Sequence, residues 1–265
     1  MDYKPYSNPD VESSVMAIRG NLQDTFKSLS RELKERLAEL DRNKDLVDGS
    51  KLNIERIRNL CQQLQKVADE NGFRAAIDNQ SNQIVKLAES ILSESGRSGL
   101  ATKFAGGTSD GIEAMMWGVH REIIGSEVKV AGDLERLLLR SVMGGTRWGD
   151  LIDSMQKTLD INEMQAITKA STTLANFHTL IRRRHFEDNG IEWFEYAGPE
   201  DDINRPFCAH FAGTRVTAAI LDANADEFKR NDPLPPSISL GGYNCRHELI
   251  PLVDPEGSDL PVGPQ

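Results

Sequence analysis

A mainly α-helical protein with a small C-terminal α+β unit is what three features of this sequence predict. Apolar residues recur at steps of three and four through the first 95 positions, the mark of helices with one buried face. A Gly- and Ser-rich stretch then interrupts the chain. Beyond Asn189-Gly190 the pattern changes to short alternating runs rich in aromatic residues, as half-buried strands require. The expected architecture is a long N-terminal helical hairpin, a helical domain and a short antiparallel sheet.

Residues 1–14 carry Pro5 and Pro9 among Tyr3, Tyr6 and Asn8, and read as an N-terminal arm. From Val15 the stripe Leu22, Phe26, Leu29, Leu33, Leu37 and Leu40 marks one helix face and ends at the charged turn Asp41–Asp45. Ser50 is placed to cap a second helix with the stripe Ile54, Ile57, Cys61, Leu64 and Ala68, which Asn71-Gly72 would end. A weaker pattern runs through Ile77, Ile84, Leu87, Ile91 and Leu92. These narrow stripes approach a coiled-coil seam. Residues 15–95 therefore read as a helical hairpin with an extra helix, either an ordinary bundle or an interaction region that offers the Leu22–Leu40 seam to a partner.

Residues 96–111 are the expected linker. Gly106-Gly107-Thr108 lacks the Gly-Lys-Ser/Thr that a phosphate-binding loop needs. Four helices follow, over 112–124, 128–143, 148–159 and 162–185. Met164, Ile167, Ala170 or Ser171, Leu174, Phe177 and Ile181 share one face of the last. A β pattern opens at Ile191, and residues 190–253 form the β-containing part of a 112–253 domain. An acidic Pro/Gly tail occupies 254–265.

Bulk composition narrows the function. The chain has 265 residues, 38% of them hydrophobic and 27% charged, with a mean hydropathy of −0.45. Extended helices with much solvated surface fit these values. A formal net charge of −10 argues against nucleic-acid binding, which needs clustered Lys and Arg. The single basic cluster, Arg182-Arg183-Arg184-His185, reads as a positive helix end that complements the helix dipole. No stretch reaches the roughly 20 apolar residues that span a bilayer, so a cytoplasmic site of synthesis is expected. Three cysteines suit a reducing compartment better than a disulfide framework.

Two Cys-x-His pairs, Cys208/His210 and Cys245/His247, flank a loop in the C-terminal quarter. Read on strands, the members of each pair point to one side, and the four together suit tetrahedral zinc. Two other readings stay open: buried cysteines with polar histidines in a hydrogen-bonded turn, or a reactive or disulfide-forming Cys208–Cys245 pair. Arg205 near Asp201 and Asp202 reads as an ion pair that fixes a turn, or as a contact to another subunit.

The order of these pieces resembles a known family. Thr146-Arg147-Trp148, the Ala/Thr-rich helix Ala166–Phe177, and Asn189-Gly190-Ile191-Glu192-Trp193-Phe194-Glu195-Tyr196 come first. Asp201 or Asp202, Arg205-Pro206-Phe207-Cys208, Pro235-Pro236 and Asn244-Cys245-Arg246-His247 follow. Over about residues 140–253 the series is similar to the phage Mu F-like minor head proteins. In them it closes on His-Pro-x-Cys-Arg-Cys, where this chain has Gly242-Tyr243-Asn244-Cys245-Arg246-His247. One cysteine has become His247, and His210 is an extra candidate ligand.

The resemblance implies a non-enzymatic structural protein of the virion, made in the host cytoplasm and placed at the portal vertex of the head. Its implied partner is the portal protein, with scaffold, major capsid or neck proteins as further ones. Its implied work is procapsid assembly, DNA packaging or DNA delivery. It also implies that Asp201, Asp202, Arg205 and Arg246 belong to a structural turn. A neck or adaptor ring component is the alternative, and a zinc-dependent hydrolase or nuclease a more distant one.

Overall fold

The computed structural model of the chain describes residues 8–43, 45–47, 50–72, 129–141, 143–228 and 234–264, with short helical pairs inside 75–91. The expected linker 96–111, the expected helix 112–124 and residues Ile77, Ile84 and Leu92 lie outside the described residues. Two compact units are formed. One holds Ile18–Asn79 and His120–Ile167, and the other Met1–Ala17, Gln80–Val119 and Thr168–Gln265, each as far as described.

Helix α1 spans Pro9–Leu37 and so begins inside the stretch expected to be an arm. Asn8 caps it, its Oδ1 accepting from the backbone N–H groups of Asp10 at 2.9 Å and Val11 at 3.2 Å. Pro9 occupies the first helical position, where a missing N–H costs nothing. Proline there starts the helix rather than preventing it.

In the unit that begins at Ile18, α1 turns back into α2 (Lys51–Glu70) through a two-stranded ribbon of β1 (Arg42–Asn43) and β2 (Leu46–Val47). The hairpin is antiparallel. Asn71 Nδ2 donates to Glu32 at 2.5 Å, Arg36 to Gln63 at 3.1 Å, and the Asn53 amide exchanges two bonds with the Asp41 backbone. Ser50 caps α2 as predicted, accepting from Asn53 N, and the helix ends at Asn71.

The expected partner seam is corrected here. Leu22, Phe26, Leu29, Leu33, Leu37 and Leu40 are each no more than 5% exposed. They form this unit's core with the buried Ile57, Leu60, Leu64 and Val67 of α2 and Leu151, Met155 and Leu159 further along the chain. An isolated stripe in sequence does not tell a core face from an interface. Leu87 and Ile91, from the weaker pattern, are helical and buried.

Helix α3 runs unbroken over Trp148–Asp188, 41 residues, where two helices parted at Asp160 were expected. Asp160 is solvent-facing and accepts from Gln156 Nε2 one turn back at 2.8 Å. Asn162 donates to the Thr158 carbonyl at 2.8 Å. Polar residues without a proline or glycine did not stop the helix. Met164, expected on its buried face, is 58% exposed, whereas Ala170, Leu174, Phe177 and Ile181 are buried. The helix stops at Asn189-Gly190 as expected, with Gly190 N bonded to Glu187 O.

The unit that ends at Gln265 is built around a three-stranded antiparallel sheet in the order β4-β3-β5, with β3 Phe194–Ala197, β4 Arg215–Val216 and β5 Glu248–Pro251. Its register pairs Tyr196 with Leu249 and Phe194 with both Pro251 and Val216. Period-two alternation sends Phe194 and Tyr196 inward. Short helices α4 (Pro206–Phe211), α5 (Ala218–Ala223) and α6 (Pro236–Ser239) close the core. That core includes Phe186, Phe207, Phe211, Leu221, Leu240 and Leu249. The stretch expected to be a tail instead lies along β4, with Arg215 N donating to Pro261 O and Gly263 N to Arg215 O, both at 2.8 Å.

Candidate metal centre

Cys208 lies in helix α4, not on a strand, and this corrects the geometry expected of the first Cys-x-His pair. Pro206 sits at the first turn, and Phe207, Cys208 and Phe211 repeat with helical spacing to face the core. Two residues along a helix turn the chain by roughly 200°. His210 therefore points away from Cys208. Its ring meets Phe211 edge-on and Phe228 at a tilt, with centroids 4.9 and 5.1 Å apart. The second pair behaves as expected: Cys245 and His247 lie on the extended segment entering β5, with Cys245 Sγ 3.8 Å from His247 Nδ1.

The fold joins Cys208 to that second pair. The two sulfurs stand 3.7 Å apart, and one ligand atom from each of Cys208, Cys245 and His247 lies within 4.8 Å of the others. All three are buried, at 2%, 7% and 6% exposure. Tyr196, fully buried on β3, donates its hydroxyl to Cys208 Sγ at 3.5 Å. The Gly241 N–H donates to Cys245 Sγ at 3.2 Å. No disulfide joins Cys208 and Cys245 in this structure.

Electrostatics divides the two cysteines. The hydrogen bond between their sulfurs, followed by desolvation, pushes the Cys208 thiol up. The same bond from Cys208, aided by His247, holds Cys245 well below an ordinary thiol. Burial raises the Tyr196 phenol well above its usual value, keeping it a donor.

Two glycines make room for this cluster. A Cβ on Gly241 would stand 2.2 Å from Cys208 Sγ and 3.1 Å from Cys245 Sγ. A Cβ on Gly198 would stand 2.4 Å from the His247 ring. Backbone reaches the site where no side chain fits.

The surrounding charges hold the loop that carries Cys245. Arg246 makes a two-pronged ion pair with Asp201, at 2.8 and 2.7 Å. Arg205, expected to pair with Asp201 or Asp202, instead donates to the Gly241 carbonyl at 3.1 Å and to that of Tyr243. Asp202 is exposed. Arg182, from the basic cluster, is buried and paired with Glu248 at 2.9 Å, and it also donates to Leu249 O. Asn8 completes that Glu248 carboxylate at 3.0 Å.

Sequence reasoning located Cys208, Cys245, His247, Asp201, Arg205 and Arg246 and misassigned His210. It missed Tyr196, Gly198 and Gly241 as parts of the site. Gly241-Gly242 shortly before Cys245 was the available signal, since adjacent glycines beside a cysteine often mark close backbone approach. Among the described residues no helix is long and apolar enough to cross a membrane. No protein family, curated protein or solved structure was found to match this chain.

Proposed function

We propose that this chain is a structural phage head protein, similar to the Mu F-like minor head proteins, that associates with the portal during head assembly. One observation carries the reading: within the series the resemblance rests on, the part from Asp201 to Arg246 forms one connected cluster. Asp201 holds Arg246, Arg205 holds the Gly241–Tyr243 turn, and Cys208 meets Cys245. Residues spread over 46 positions of sequence, from Asp201 to Arg246, thereby build one local structure rather than separate motifs.

The proposed role is non-enzymatic. Cysteine and histidine side chains buried to more than nine-tenths serve a scaffold better than a reaction that must admit substrate and water. The proposed work is procapsid assembly, DNA packaging or DNA delivery at the portal vertex of the virion, with the portal protein as partner and scaffold, major capsid or neck proteins as neighbours. The net charge of −10 fits protein contacts better than general DNA binding.

Co-expression with the portal protein of the same phage tests this. Co-purification of the two at a defined ratio is expected. Binding only to completed, DNA-filled heads would make the chain a neck component instead, and no binding to either would remove the assembly reading.

A further inference from the structure

We infer that Cys208, Cys245 and His247 hold one zinc ion through three of its four tetrahedral positions, with Tyr196 and the Gly241 N–H as outer hydrogen-bond donors to the ligand sulfurs. This ligand set differs from the two Cys-x-His pairs seen in sequence, because His210 is excluded and Tyr196 enters only as an outer donor. The inference stands independently of the proposed role in the virion.

Spacing is the first argument. Zinc–sulfur bonds of about 2.3 Å at a tetrahedral angle put two thiolate sulfurs about 3.8 Å apart. The two sulfurs here are 3.7 Å apart. With a zinc–nitrogen bond of about 2.0–2.1 Å, the sulfur–nitrogen edge comes to roughly 3.6 Å. Cys245 Sγ and His247 Nδ1 stand at 3.8 Å. Two of the three edges thus match a tetrahedral ion, and the third, from Cys208 to His247, lies within 4.8 Å.

Polar accounting is the second. His247 is buried, and its Nε2 has no hydrogen-bond partner among the described residues. Its Nδ1 faces only a sulfur at the edge of hydrogen-bond range. A buried imidazole left so poorly satisfied is costly, and ligation through Nδ1 satisfies the ring nitrogen that faces the cluster.

Charge is the third argument. Two thiolates neutralise a divalent ion, so a core formed by Phe207, Phe211, Leu240 and Leu249 would enclose a centre of no net charge. On binding, both thiol protons are released to solvent and both sulfurs become thiolate ligands.

The outer groups fit the same role. A backbone N–H to a ligand sulfur and a hydroxyl to the other orient the ligands and temper their charge, as second-layer partners do around zinc. The Gly241 N–H meets Cys245 at 3.2 Å and the Tyr196 hydroxyl meets Cys208 at 3.5 Å. The ion would tie α4 to the segment entering β5, closing a span of 37 residues. Its binding energy then becomes folding energy for this unit.

The test is metal analysis of the full chain purified under reducing conditions without added metal. About one zinc per chain is expected, lost in Cys208→Ser, Cys245→Ser and His247→Ala and kept in His210→Ala. Tyr196→Phe is expected to weaken zinc affinity roughly 10- to 100-fold. Should the ligand variants fail to fold, the wild-type chain decides: after chelation, cobalt titration must give thiolate-to-metal absorption saturating near one equivalent. Absence of that signal overturns the inference. So does loss of two hydrogens by intact mass, with only Cys61 free to alkylate, since that is a Cys208–Cys245 disulfide.

Discussion

Replacing Gly241 by alanine tests the packing of the cluster on a contact that cannot be avoided. The new methyl would lie 2.2 Å from Cys208 Sγ and 3.1 Å from Cys245 Sγ, against an ordinary contact of about 3.5–4 Å. The shortfall against Cys208 exceeds roughly 1 Å. Gly241 is not among the glycines with positive φ, so the strain comes from contact and not from backbone conformation. Forcing a methyl into a packed core costs about 1–3 kcal/mol, and this overlap puts the cost at the upper end.

A double-mutant cycle isolates the cause. Cys208→Ala removes the obstructing sulfur, so Gly241→Ala should cost far less on that background. The coupling is expected to exceed about 1 kcal/mol, within the range measured for touching residues. Urea unfolding of the four proteins with a chelator present reads packing apart from metal. Additivity within about 0.5 kcal/mol would refute the close approach.

Two other outcomes follow from burial. Burial, and then Arg182, pushes the His178 imidazole down to about 3, whereas an unfolded histidine titrates near 6.5. Below about pH 6.5 the unfolded chain gains a proton that the folded one refuses, so the contribution is intact above that pH and is lost as pH falls toward about 3. By pH 5 the loss is about 2 kcal/mol, and a His178→Gln variant should lack this part of the slope; parallel stability–pH curves for the two would contradict it. Leu33→Ala, at a fully buried position of α1, should cost about 2–5 kcal/mol in urea unfolding, and a cost below about 0.5 kcal/mol would restore the partner-facing seam.

What was legible in the sequence was local. Ser50 and Asn71 bound α2 because a cap is decided within four residues, and Asn189-Gly190 ends α3 for the same reason. The alternation at Phe194 and Tyr196 marked β3 because a strand beside a core has no other period. Misreadings came where local signals compete. Pro9 breaks a helix interior but favours a helix start, and Asp160 resembles a cap yet is bridged across one turn by Gln156. Cys208-Ala209-His210 looks like an alternating strand until Pro206 and the spacing of Phe207 and Phe211 are taken together.

The cluster itself was half legible. Residue types named the cysteines and His247, but contacts across 45 positions, such as Asp201 with Arg246, leave no periodic trace. The same holds for Tyr196, which reads in sequence as one more inward aromatic and differs only by where its hydroxyl ends. Gly198 and Gly241 are informative only once the atoms above them are known.

The proposed place in the virion is tested most directly by quantitative mass spectrometry of heads purified from the phage proposed to encode this chain. The account predicts that the chain is present in a fixed ratio to the portal protein, and that procapsids already carry it before DNA enters. Heads and procapsids that contain portal but none of this chain would contradict it.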